Sequence, residues 1–268
     1  MPHTVDDLLY LMSRLREPNT GCPWDLKQSY RTIAPSTLEE AYEVVDTIER
    51  GDYDHLREEL GDLLFQVIFY SQLGKEEERF DFGQIVDGLV SKLIRRHPHV
   101  FPDGTLDSHV DDQASLPADV KQRWETIKQQ EREEKGVRGV LDDVPLNLPA
   151  LSRAAKLQKR AANVGFDWPD VGGPLGKIRE ETDELTEALE TGDQAHLTEE
   201  LGDLLFAVTN AARHLKIDPE AALRQANRKF EQRFRYVEQN AEGNLNDHSL
   251  EALDTLWNKA KTQPRRSD

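Results

Sequence analysis

The residues with chemistry to offer are acids, and their spacing is regular. In the stretch Glu180 to Phe206, Glu181/Glu184 and Glu200/Asp203 form two pairs at i, i+3, which puts both members of a pair on one helical face. Between the pairs, Thr191-Gly192-Asp193 reads as a helix stop followed by an N-cap. Glu184 and Glu200 each lie eight residues from Gly192, and Glu181 and Asp203 each lie eleven. Folded back as an antiparallel helical hairpin, the pairs reach matching heights, roughly 12–17 Å from the turn at 1.5 Å per residue. Four carboxylates then converge between two helices. That is a metal site by geometry, or else it is unrelieved repulsion.

The same unit occurs earlier in the chain. Glu40, Glu43, Gly51, Glu59 and Asp62 precede Glu181, Glu184, Gly192, Glu200 and Asp203 by 141 positions in every case, and EELGDLLF is identical at 58–65 and 199–206. Such self-similarity marks a duplicated unit rather than a short solenoid repeat. A solvated acidic face is the alternative for either hairpin alone. It is weakened by the duplication and by the apolar run that follows Asp62, because acids beside a buried segment need a partner.

A site built of carboxylates without cysteine is a hard oxygen site, suited to Mg2+, with Mn2+ as the alternative. The motifs lack the Glu-x-x-His of a di-iron bundle and the twelve-residue loop of an EF-hand. An acid-rich Mg2+ site keeps waters and recruits substrate phosphates. Lys229 and Arg233, at i, i+4, offer positive charge to those phosphates; Asn227 offers an amide to a phosphate, sugar or base. His196 precedes Glu200 by four residues, as His55 precedes Glu59. It is read as a phosphate contact or an orienting group, with helix-start packing as the rival role. No nucleophile constellation, P-loop or Rossmann glycine signature is present. The chemistry that fits is metal-activated water attacking a phosphoanhydride.

The elements that must position these groups read as helices throughout. Leu8, Leu9, Met12 and Leu15 mark an amphipathic helix over 5–16; Pro35 is expected to open the first acidic helix; further helices are expected over 55–73, 82–96, 119–135, 220–239 and 250–261. His97 and His99 close the third helix and are read as structural. Trp24, in the Cys-Pro-Trp-Asp loop, is read as plugging a core edge, with base stacking as the alternative. Asn163 to Trp168 echoes that loop in the second half, and Trp257 echoes Trp124. Residues 101–116 read as an acidic loop and 136–149 as the linker between units 1–135 and 150–268. The fold class is all-α, a tandem of duplicated helical bundles.

Composition limits the partners. With 268 residues, 37% hydrophobic and 32% charged, and a net charge of −17, the chain suits two soluble domains and argues against polymeric nucleic acid. One cysteine, Cys22, and an N-terminus with acids in place of a basic leader point to the cytoplasm, with no membrane anchor.

The ordered set Glu-Glu-x-x-Glu then Glu-x-x-Asp in both halves, with CPWD, RRHPHVF, NVGFDW, ELGDLLF and KFEQRF, resembles the MazG nucleoside triphosphate pyrophosphohydrolases over essentially the full length. The resemblance implies an all-α NTP pyrophosphatase fold, usually dimeric, that converts an NTP or dNTP to the monophosphate and pyrophosphate with Mg2+. It implies Glu181, Glu184, Glu200 and Asp203 as catalytic metal ligands, with a second site at Glu40, Glu43, Glu59 and Asp62. Lys177, Lys229 and Arg233 become phosphate contacts and Trp257 a nucleotide-site residue; Glu199 and His196 join the substrate-binding set. The C-terminal unit becomes the catalytic one, in agreement with Asn227, which the first half replaces with Val90. Two other classes fit less of the sequence: an acidic helical scaffold without catalysis, and a narrow-specificity phosphohydrolase of the dUTPase kind.

Overall fold

A computed structural model describes residues 2–109, 120–134, 136 and 139–262. Among these, every regular element is helical, with ten α-helices and short 3-10 turns. The chain divides into two compact units, the first reaching Lys128 and the second beginning at Gln129. That division falls inside a helix, a few residues before the boundary read from sequence. The acidic loop expected over 101–116 is described only as far as His109, and the rest of it lies outside the described residues, as do residues 119, 135, 137 and 138 of the expected fifth helix and linker.

In the first unit, α1 (Val5–Leu15) begins at a capping box between Thr4 and Asp7 and packs on α3 (Tyr53–Glu76). Arg16 fastens the following loop: it donates to the Asp25 carbonyl, pairs with Glu76 at 2.7 Å and lies over the Phe69 ring. Helix α2 (Tyr30–Arg50) starts earlier than expected. Ser29 and Thr32 make a capping box there, and Pro35 sits inside the helix rather than at its first turn. Proline was read as a start signal, but a reciprocal cap that satisfies two backbone donors outweighed it. Helix α4 (Phe82–Arg96) has the bounds read from sequence, with an Asp81/Gln84 capping box. The backbone of α5 spans Val120–Glu134. Met12, Ile33, Ile68, Phe69 and Leu73 form the core cluster of this unit.

The second unit holds α6 (Ala150–Ala162), α7 (Gly172–Thr191), α8 (Gln194–His214), α9 (Pro219–Asn240) and α10 (Leu250–Thr262). Helix α7 lies along α8, α6 packs on α8, and α9 packs on α10 and α6. Its buried apolar residues are mostly small: Ala188, Ala207, Ala211, Ala260, Val144 and Val237. Small residues at a contact let helix axes approach closely.

Both acidic hairpins turn as their glycines require. Gly51 and Gly192 cap α2 and α7 in the left-handed region, at φ 75° and 69°. Asp52 and Asp193 then cap α3 and α8, accepting from His55 N and from Ala195 and His196 N. One expectation holds only in part. In the run after Asp62, Ile68 and Phe69 are buried, but Leu64 and Val67 are exposed.

A side chain at either turn glycine meets nothing within 4 Å, so Gly192→Ala isolates the backbone cost. We expect a loss of about 1–2 kcal/mol, read as a lower urea midpoint at unchanged slope. Gly51→Ala should behave alike.

Candidate metal centre

The two hairpins bring together most of the acids that the sequence singled out. Single carboxylate oxygens of Glu181, Glu184 and Glu200 all lie within 4.8 Å of one another, and those of Glu40, Glu43 and Glu59 do the same. Asp203 and Asp62 stand outside these groups of three; each is exposed, one turn along from Glu200 or Glu59. Asp62 still acts on its cluster electrostatically, because its charge helps to raise the pKa of Glu40 after the larger effect of burial.

The second-unit cluster is the more enclosed. Glu181 is only 3% exposed, and a carboxylate held so far from water needs a compensating charge. Lys177, one turn before it, supplies one: its Nζ lies 2.6 Å from Glu181 and 2.8 Å from Glu180. Hydrogen bonds to those two acids raise the Lys177 pKa, keeping the ammonium charged. Glu184 is pushed the other way. Partial burial and then the neighbouring Glu181 charge raise its pKa, with Lys177 acting against them. One ammonium therefore compensates only part of the crowding. His196 Nε2 lies 3.1 Å from Glu200, so it contacts a cluster member, and Glu199 stands beside that member on α8.

The first unit differs just where it lacks these partners. The position matching Lys177 is Ser36. His55 turns back to its own cap, with Nδ1 2.6 Å from Asp52, and does not copy the His196–Glu200 pair.

The remaining sequence candidates of the second unit lie on α9 and α10. Lys229 and Asn227 are exposed on α9. Arg233, also on α9, lies 5.8 Å from the centre of the Trp257 ring, and Phe230 packs on that ring at 5.2 Å. The first unit repeats the motif, with Arg96 at 6.0 Å and Lys128 at 4.3 Å over Trp124. His97 Nδ1 donates to the Leu93 carbonyl and the ring packs near Trp124, in keeping with a structural role.

Sequence reading missed one clamp. Asp167 accepts from Arg213 and from His214 Nε2 at 3.0 Å, and also from Trp168 N at 2.9 Å. The Arg213 hydrogen bonds lower the Asp167 pKa. This fastens the NVGFDW loop to the end of α8. Only the mixed charge of Asp167, Arg213 and His214 hinted at it, across a separation of 46 residues.

The donor set is three converging carboxylates without thiolate, one of them nearly sealed from water. That set fits a hard divalent cation.

Comparison with known proteins decides the family. The sequence matches the MazG nucleotide pyrophosphohydrolase domain at residues 28–101 and 175–237. It is 52% identical to the nucleoside triphosphate pyrophosphohydrolase of Escherichia coli strain K12 over 264 residues, 97% of each chain. The chain belongs to the MazG family. It is also 42% identical over 259 residues to the nucleoside triphosphate pyrophosphohydrolase/pyrophosphatase MazG of Thermotoga maritima, covering 96% of this chain and 95% of that one. A Bacillus subtilis protein, YabN, is 45% identical over 99% of this MazG chain, which spans 53% of that longer protein. The two matched MazG segments enclose both acidic hairpins.

The raised pKa of Glu184 fixes the sign of a pH effect. Its contribution to stability is fully present below the ordinary glutamate value of 4.5 and is lost as the pH rises through the raised folded value. With chelator present, Glu184→Gln should therefore be at least as stable as the parent at neutral pH. The difference should close as the pH falls below about 4.5. Thermal melting of both proteins across pH checks this; a variant less stable at pH 7 would contradict it.

Proposed function

We propose that this MazG-family chain hydrolyses nucleoside and deoxynucleoside triphosphates to the monophosphate and pyrophosphate, using Mg2+ held by Glu181, Glu184 and Glu200 with Asp203 completing the set. The observation that carries this reading is the convergence of three carboxylates within 4.8 Å, one nearly buried and only partly compensated by Lys177. Mn2+ is the alternative ion.

When bound, the ion supplies electrostatic stabilisation of the phosphate oxygens and a water of lowered pKa. The chain's own residues do the rest. Lys177, already charged and one turn from Glu181, faces the phosphates as a fixed cation. Lys229 and Arg233 add positive charge from α9, with Asn227 and Trp257 as further nucleotide contacts and Glu199 beside the ligand Glu200. His196 holds Glu200 through its Nε2 at 3.1 Å. Such groups, preset by a rigid helical hairpin, need little reorganisation as charge develops.

The C-terminal unit is proposed as the catalytic one. Lys177 against Ser36, the His196–Glu200 pair against His55–Asp52, and Asn227 against Val90 all support that choice. The first-unit cluster of Glu40, Glu43, Glu59 and Asp62 is proposed as a secondary cation site. The protein is proposed to be cytoplasmic and homodimeric, with no polymeric nucleic acid as substrate. No helix among the described residues is long and apolar enough to cross a membrane. The dimer is supported by a duplicated exposed stripe, Leu60, Leu64 and Val67 on α3 and Leu201, Leu205 and Val208 on α8.

A nucleotide panel with pyrophosphate and orthophosphate read separately tests the activity. Pyrophosphate should appear first from several triphosphates and stop in excess chelator; orthophosphate first, or full activity with chelator, would sink the proposal. Glu200→Gln and Asp203→Asn should each cost far more activity than Glu59→Gln and Asp62→Asn, about 100-fold or more against a few-fold, by analogy with other preset electrostatic groups. Equal losses in both halves would show two working sites. Sedimentation should give twice the 30.6 kDa chain mass, and Leu205→Glu should shift it toward monomer.

A further inference from the structure

The loop that Asp167 clamps ends in a tryptophan with no assigned role. Trp168 is 45% exposed, although the loop around it is fixed at both the Asp167 and the α7 ends. Among the described residues, no aromatic ring or cation stacks on it. Trp257, by contrast, already carries Phe230 and Arg233. What Trp168 does touch is the bare backbone of Gly173, in the first turn of α7. A Cβ at 173 would collide with Trp168 Cβ, Cγ and Cδ1, so the indole occupies the space a side chain would fill.

The position of Gly173 matters more than its smallness. Residues 173, 177, 181 and 184 stand at i, i+4, i+8 and i+11 of α7, within about 80° of one another at 100° per residue. The indole therefore sits on the same helical stripe as Lys177, Glu181 and Glu184. It lies about 6 Å along the axis from Lys177 and about 12 Å from Glu181, at 1.5 Å per residue. A triphosphate engaged by the carboxylates and by Lys177, if extended along this stripe toward the start of α7, would next meet this half-open aromatic ring.

The first unit has no such seat. Thr32 matches Gly173, and its hydroxyl accepts from Ser29 N at 2.8 Å in the α2 capping box. The loop tryptophan there, Trp24, is left 59% exposed.

We propose that Trp168 is the base-contact residue of the second-unit site, seated on Gly173 and stacking on the nucleobase of the triphosphate held by Lys177 and the acid cluster. This rests on the triphosphate reading above. Stacking on one aromatic ring accepts every base, because every base has a π face. The site is thereby suited to a broad range of nucleoside triphosphates rather than to one. The clamp by Arg213 and His214 makes the ring a preset platform, so little ordering cost is incurred when the base arrives.

The experiment compares ATP with inorganic tripolyphosphate, which has the phosphates but no base. In Trp168→Ala the KM for ATP should rise about 10-fold, within the range of base–aromatic stacking. The kcat should stay within about twofold, since stacking contributes to ground state and transition state alike. Inhibition by tripolyphosphate should be unchanged. Trp168→Phe should restore most of the affinity, and Gly173→Ala, which evicts the indole, should resemble Trp168→Ala. An active parent whose KM ignores Trp168→Ala overturns the inference alone. So does an inhibition constant for tripolyphosphate that rises in step with KM, which would mean that the loop and not the base contact had been lost. A parent inert toward every triphosphate overturns the proposed function and this inference together.

Discussion

Like charges held close together in a partly dry site set the terms for this molecule. Three carboxylates within 4.8 Å repel one another, and the repulsion strengthens as water is excluded. A lone hairpin would relieve it by splaying. This one does not, because α7 and α8 are joined by a left-handed glycine and a capping aspartate and are buttressed by α6 on α8. Two internal responses are visible. Lys177 sits against Glu181, and Glu184 has a raised pKa, favouring a proton. Neither removes the excess, since one ammonium faces three acids. A divalent cation offsets more charge in less space than any side chain.

The duplicated unit separates this geometry from its tuning. Both hairpins keep the turn glycine, the capping aspartate and the convergent glutamates. They differ in the counter-charges. In the first unit Glu40 is raised by burial and by Asp62, Glu43 and Glu39, and no cation figures among the causes. A serine at 36 cannot do what Lys177 does. His55 is held by Asp52, which leaves Glu59 without the neighbour that Glu200 has in His196. The same backbone thus presents two electrostatic environments, and an ammonium paired with the cluster belongs to only one.

How much of this was legible in the sequence depends on the range of the interaction concerned. The hairpins could be counted outward from Gly51 and Gly192, because helical pitch is fixed and a glycine stop followed by aspartate is a local signal. Helix α4 had its bounds set by Asp81 and by the His97-Pro98 stop, which are also local. Helix α2 was misread at its start because two local signals competed, and the Ser29/Thr32 box was stronger than Pro35. Equal spacing from the turn placed Asp203 level with Glu181 but could not say whether its carboxylate reaches the others. The Asp167 clamp joins residues far apart in the chain, and charge alone did not pair them. The seat of Trp168 on Gly173 is a steric relation, invisible until the loop path is known.

The exposed stripe follows from the same duplication. A helical hairpin can bury one flank against the rest of its unit while the other faces outward, and stable architectures need a second layer there. Leu201, Leu205 and Val208 repeat Leu60, Leu64 and Val67 at the 141-residue offset, so the outward apolar face was part of the unit that was copied. Exposed leucines scattered singly need no explanation, but an i, i+4, i+7 row on one helix face is a packing surface. On the proposed homodimer that row is covered by a second hairpin, and α8 becomes buried on its outer flank as well as against α6 and α7. Covering it also bears on the acids, because Glu200 shares α8 with the row and lies one residue before Leu201. A partner helix packed there would lower the local dielectric and sharpen the repulsion within the cluster, so dimerisation and cation binding would be linked through one helix.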